Sequence, residues 1–172
     1  MKKIGLFYAP KGGAVNCMAA LMVEKLGEKN VDMMCVTEVN ADKVLEYDKI
    51  IFGNASIYSG STLADRDKDW KDFLVDLKKI NLQGKQVALF GLGNHLTYPK
   101  NFVDSLGALG DFLVKLDASI VGKVPAEEYV FTASNAVRDD MFVGLPLDED
   151  TEGDKSHERI DKWLNQLNKE FK

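Results

Sequence analysis

Ile4-Gly5-Leu6-Phe7-Tyr8-Ala9-Pro10-Lys11-Gly12-Gly13-Ala14-Val15 carries an apolar strand straight into a glycine-containing loop that opens an amphipathic helix. Past the loop, Val15, Met18, Met22 and Leu26 recur at helical spacing, which places the backbone N–H groups of Gly12 to Val15 at a helix N-terminus. Such groups lack acceptors within the helix, and with the positive end of the helix dipole they attract an anion, so the loop suits a phosphate. A strand-to-helix turn also uses glycines simply for tight packing, and other segments have to separate the two readings.

Outward from this stretch, short apolar runs alternate with helical patterns to the end of the chain. Strands are expected near 3–8, 31–37, 48–54, 86–92 and 118–122, and helices near 14–28, 40–47, 65–80, 100–117 and 155–171. Lys49-Ile50-Ile51-Phe52-Gly53 and Gln86-Val87-Ala88-Leu89-Phe90-Gly91 are continuously apolar, the pattern of strands covered by helices on both faces. An α/β fold with a doubly wound parallel sheet follows. Ile160, Trp163, Leu164, Leu167 and Phe171 form one stripe, so the last helix docks on that sheet. Between Ile120-Val121-Gly122 and Phe142-Val143-Gly144-Leu145, about twenty residues, including Tyr129-Val130-Phe131 and Ser134-Asn135, read as extended pieces and turns. They look like an insertion that splits a strand.

The 172 residues, 45% hydrophobic with 14 Gly and 4 Pro spread along them, suit a single domain over 1–172 with a full core. No apolar run reaches the roughly 20 residues of a membrane span, and Met1-Lys2-Lys3-Ile4 enters a strand at once instead of a signal-peptide apolar region. A cytoplasmic protein is expected. The formal net charge of −5 has its basic residues scattered, which excludes a nucleic-acid binder, since phosphate backbones need a concentrated positive surface. Cys17 and Cys35 lack a C-x-x-C spacing and fall in apolar-periodic segments, so both read as reduced core thiols.

In an open parallel sheet, ligands sit outside the carboxyl ends of the strands, where strand order reverses. That singles out the loops at 9–15, 54–64 and 93–99. The second holds Asn54, Ser56, Tyr58, Ser59, Ser61 and Thr62, and the third holds Asn94, His95, Thr97 and Tyr98. Polar groups converging with two tyrosines suit a flat aromatic ligand with a polar tail.

The chain resembles a flavodoxin of the long-chain kind over nearly its whole length. Val87-Ala88-Leu89-Phe90-Gly91-Leu92-Gly93-Asn94 with Tyr98-Pro99 is similar to that family's G-L-G-D-x-x-x-Y-P loop. Phe142-Val143-Gly144-Leu145-Pro146-Leu147-Asp148-Glu149-Asp150, then Glu158-Arg159-Ile160 and Trp163, resembles its F-V-G-L-x-L-D-x-D string and its E-R-I-x-x-W helix. The resemblance implies a five-stranded sheet in order 2-1-3-4-5 with its last strand split. It also implies a low-potential electron carrier using flavin mononucleotide (FMN), with no substrate chemistry of its own. Redox partner proteins with basic docking surfaces and a monomeric state are expected.

The expected cofactor-binding residues are Pro10, Lys11, Gly12, Gly13, Ala14, Val15, Asn54, Ser56, Ile57, Tyr58, Gly93, Asn94, His95 and Tyr98. Several depart from the family's pattern. Its phosphate loop reads T-x-T-G-x-T, whereas Pro10 to Val15 hold no hydroxyl, at roughly 1.5–3 kcal/mol per lost bond to a charged phosphate. Lys11 and Asn16 are the candidates to compensate. Ile57 stands where a tryptophan commonly covers one flavin face, and Tyr98 matches the ring that covers the other. Asn94 replaces an aspartate, and losing that charge beside an anionic reduced flavin should raise the potential of the second electron step. His95 adds a titratable group there. Asp148, Glu149, Asp150, Glu152 and Asp154 read as a solvated acidic turn that leads into a helix. The alternatives are a flavodoxin-like module that has lost tight FMN binding, favoured by the altered phosphate loop, and an FMN-dependent reductase of a small acceptor.

Overall fold

The computed structural model describes residues 3–55 and 68–172. The expectations for Ser56, Ile57, Tyr58, Ser59, Ser61 and Thr62 lie outside the described residues.

Strand β1 (Ile4–Tyr8) leads into α1 (Ala14–Leu26), then β2 (Val31–Cys35), a 3-10 turn (Ala41–Glu46) and β3 (Lys49–Asn54). After α2 (Lys68–Leu77) come β4 (Gln86–Leu92), α3 (Asp104–Val114) and β5 (Ser119–Val121). The chain ends with β6 (Val124–Pro125), β7 (Val137–Arg138), β8 (Met141–Phe142), β9 (Leu145–Leu147) and α4 (Gly153–Glu170). The main sheet runs β2-β1-β3-β4-β5, all parallel, as the order 2-1-3-4-5 requires.

The last strand position is filled twice. Gln86, Val87 and Ala88 pair with Ser119, Ile120 and Val121, while Phe90, Gly91 and Leu92 farther along β4 pair with Leu145, Pro146 and Leu147. Between the two halves, β6, β8 and β7 form a small antiparallel sheet, so the expected insertion is present. Tyr129-Val130-Phe131 joins no ladder, unlike the extended pieces expected there. Burial of its rings decides its path instead: Tyr129 and Phe131 pack on Phe102 and Phe142 with centroids 5.2–6.1 Å apart.

Cross-strand partners point to the same side of a sheet, which assigns the helices to its faces. Phe7 and Phe52 are partners and meet Phe73 and Trp70 of α2 at 5.8–6.5 Å. Leu89 is the partner of Phe52, and a Cβ at Gly110 of α3 would sit 3.4 Å from its Cδ1, so α3 shares that face. Tyr8, one residue on from Phe7, points the other way and bonds Asn16 of α1. Beside α1, α4 is tied by a Lys25–Asp161 ion pair of 2.6 Å. Ile160, Trp163, Leu164, Leu167 and Phe171 are all buried, as their stripe predicts.

One cysteine departs from expectation. Cys35 is buried, but Cys17 is exposed. The buried side of α1 comes out as Val15, Met18, Ala19 and Met22, and Cys17 falls off that stripe.

Candidate functional site

Register brings the three expected loops to one edge. Tyr8 pairs with Gly53, and Gly53 with Phe90, so the chain leaves β1, β3 and β4 at neighbouring points. Gly12 takes φ +79°, a conformation open to glycine, and a Cβ there would have nothing within 4 Å. Gly13 is the N-cap, and the first helical bond is Cys17 N–H to the Gly13 carbonyl at 3.1 Å. The N–H groups of Ala14, Val15 and Asn16 precede it and have no acceptor within the helix.

Two expectations for this loop change. The Gly12 N–H is already engaged, donating to Asn16 Oδ1 at 3.0 Å, where the Tyr8 hydroxyl also donates at 3.0 Å. Burial, reinforced by Cys35, pushes the Tyr8 hydroxyl above its usual range against Lys11, which keeps it a donor at neutral pH. Asn16 thus ties the loop to β1 instead of only adding a donor. Lys11 is not a free cation either, because its ammonium pairs with Glu38, and that bond raises its pKa. Pro10, Gly13, Ala14 and Val15 stand where expected around this turn.

At the end of β3, Asn54 is fully buried, and among the described residues neither its Oδ1 nor its Nδ2 has a partner. An unpaired buried amide costs about 1–3 kcal/mol, which marks the position as unusual.

The third loop is held from three sides. Gly93 donates its N–H to the Leu147 carbonyl at 2.9 Å, and a Cβ there would lie 2.8 Å from Val103 Cγ1. Asn94 Oδ1 accepts from the N–H groups of Leu96 and Thr97 at 3.2 and 2.8 Å, closing the turn. Its Nδ2 donates to Asp150 at 3.1 Å, so a carboxylate remains beside position 94 despite the amide there. Tyr98 is half-buried ahead of Pro99, whose carbonyl accepts from Thr132 and Ala133 of the insertion at 2.6 and 2.9 Å.

The acidic turn is not uniformly solvated. Asp148 is fully buried. Its carboxylate accepts from the His95 N–H at 3.0 Å, the Thr151 N–H at 2.9 Å and the Thr151 hydroxyl at 2.6 Å. His95 Nδ1 lies 2.6 Å from the same carboxylate. Burial alone pushes the Asp148 carboxyl up, but the bonds from Thr151 and His95 outweigh it and hold the group below its usual range.

The family model described as flavodoxin matches residues 6–163. Flavodoxin 1 of Azotobacter vinelandii is 38% identical over 175 residues, covering 99% of this chain and 98% of its own. Flavodoxin of Synechococcus elongatus is 37% identical over 172 residues, covering 99% of both. The structure of Fusobacterium nucleatum flavodoxin bound to flavin mononucleotide superimposes with a TM-score of 0.89 at 25% identity, over 100% of each chain.

This chain belongs to the flavodoxin family.

Within this flavodoxin, the sequence reading named Asn16 only as a compensating donor and missed its partner, and it missed the inward turn of Asp148 altogether. Asn16 falls one residue past the loop motif, and its partner Tyr8 belongs to a strand that reads simply as core. Asp148 sits in a string with four other acids, and only the fold turns it inward onto His95, 53 positions earlier.

Proposed function

We propose that this flavodoxin is a single domain over 1–172 that binds FMN at the loops after β1, β3 and β4. In this reading it carries electrons one at a time, at low potential, between partner oxidoreductases. The adjacency of those three loops, set by the sheet register, is the observation that carries the reading.

The residues present suit the cofactor. A phosphate fits the turn at Gly12 and Gly13, where a Cβ at Gly12 would meet no atom within 4 Å and one at Gly13 would meet only Pro10 Cγ, at 3.9 Å. The N–H groups of Ala14 and Val15 donate to it at the positive end of α1. Asn16 replaces the missing hydroxyls indirectly, by holding the Gly12 turn in place. Lys11 turns from Glu38 to the phosphate, exchanging one exposed anion for another. Asn54 offers two polar atoms that have no partner among the described residues. Tyr98 covers one flavin face, and Gly93, Asn94 and His95 line its edge. Ser56, Ile57 and Tyr58 complete the set from the sequence.

FMN, when bound, supplies the one-electron redox chemistry; the protein positions it and limits its access to water. Partners with basic docking surfaces suit the net charge of −5 and the cleft where Asp69, Asp72 and Asp76 of α2 outnumber Lys68, which pairs with Asp72. No helix among the described residues is long and apolar enough to cross a membrane. A monomeric protein in the cytoplasm accords with this reading.

Titration of FMN into the purified protein, followed by flavin fluorescence, tests the proposal. Tight one-to-one quenching is the expected result. Unquenched flavin at high protein concentration would remove FMN, and with it electron carriage.

A further inference from the structure

We propose that Asp148 is a positioning residue for the flavin site. Through their direct bond it holds His95 as the Nδ1–H tautomer, and Nε2 then stands as an acceptor for a hydroxyl or ring N–H of the bound nucleotide. The second half of this inference rests on FMN binding; the first half does not.

The tautomer follows from counting protons. Asp148 is ionised, and an ionised carboxylate accepts only. With Nδ1 at 2.6 Å from Asp148 Oδ2, the hydrogen between them belongs to the imidazole. Thr151 Oγ1 lies 3.2 Å from Nδ1, but its one proton already goes to Asp148 Oδ2 at 2.6 Å. Nδ1 therefore carries a hydrogen, and in the neutral ring Nε2 carries a lone pair. An unconstrained imidazole in water favours the opposite arrangement.

The ring is also fixed in orientation. Phe102 meets it edge-on, 6.2 Å between centroids and 80° between planes, and the side chain is only 11% exposed. Among the described residues, no group bonds Nε2. The His95 N–H donates to the same carboxylate at 3.0 Å, so one buried group fixes both the backbone and the ring of this residue. Gly93 is tied to Leu147 at the end of β9 and Asn94 to Asp150 of the turn after it, at 2.9 and 3.1 Å. The turn after β9 thus works as an anchor for the loop after β4. A carboxylate that fixes a histidine tautomer from behind is the arrangement by which ligating and catalytic imidazoles are oriented.

The first experiment is a nitrogen–proton NMR correlation of the two imidazoles in the cofactor-free protein at about pH 8, where an ordinary imidazole is neutral. His157 serves as the internal comparison. His95 is expected to show the Nδ1–H pattern, and an Nε2–H pattern would overturn the inference. The second is a double-mutant cycle on FMN affinity with His95→Phe and Asp148→Asn. Each single change is expected to weaken binding roughly three- to tenfold, and the double variant no further than either single one. Losses that multiply would show Asp148 acting without His95, which overturns the positioning role. Should Asp148→Asn fail to fold, His95→Gln, which keeps an acceptor, is expected to bind better than His95→Phe, and equal affinities would overturn the contact. A wild-type protein that leaves FMN unquenched would sink the functional reading and the Nε2 contact together, while the NMR pattern still decides the tautomer.

Discussion

Asp148 shows how one buried carboxylate makes stability depend on pH. Its folded-state pKa is held below the ordinary value of 3.8, so the native protein keeps the ionised form more readily than the unfolded chain does. The resulting stability is fully present above that ordinary value and is lost as pH falls through the folded one. Glu152, for which bonds from Lys155 and Arg159 outweigh burial, is lowered in the same direction. Urea midpoints are expected to fall steeply below about pH 4, and the Asp148→Asn variant, weaker at neutral pH, is expected to lose less over that acid range. An unchanged acid slope in the variant would assign the acid sensitivity to other groups. Asn54 is the opposite case, since its buried amide, without a partner among the described residues, is neutral and carries no such dependence.

The insertion between β5 and β9 is the element that departs most from a plain β-α alternation. It is joined to the rest by backbone contact at α3, where a Cβ on Gly107 would run into the Asn135 carbonyl and lie 2.8 Å from Ala136 Cα. Those atoms belong to main chain and cannot swing aside. Gly107→Ala is expected to cost roughly 1–3 kcal/mol and to raise protease cleavage within the insertion. Gly84→Ala serves as the comparison: its φ of +80° strains a side chain, but nothing lies within 4 Å, so a loss of about 1 kcal/mol without new cleavage is expected. Equal cleavage in both variants would mean that Gly107 does not hold the insertion in place.

At the scale of the whole molecule, the proposed docking onto basic partners depends on net charge and its distribution. On the proposed reading, the net charge of −5 attracts basic surfaces, with the acids of α2 partly offset by the pairs Lys68–Asp72 and Lys79–Asp76, and the attraction is screened within about 8–10 Å at moderate salt. Second-order rates of electron transfer to a basic partner are therefore expected to fall as salt rises, and Asp72→Lys to flatten that dependence. Stopped-flow rates at several ionic strengths measure both, and a rate indifferent to salt would remove electrostatic steering.

The sequence by itself determined the alternation of strands and helices, the parallel sheet and its insertion. These depend on the period of apolar residues and on glycine positions, which are local properties of the chain. Runs such as Lys49–Asn54 and Gln86–Leu92 read as buried strands because each has apolar neighbours on both faces. It also located Lys11, Gly12, Asn94, His95 and Tyr98 on loops at the carboxyl ends of strands, since loop position follows from that same alternation, while the strand order came from the resemblance to the family. The tertiary structure alone decided how those loops are held. Asn16 reaching Tyr8, Lys11 pairing with Glu38 and Asp148 turning inward to His95 are contacts between chemically ordinary side chains. Nothing in one dimension tells a solvated acid from a buried one in a string of five. Burial is set by what the fold packs around each residue, and it is burial that makes Asp148 a fixed partner and leaves its neighbour Asp150 exposed.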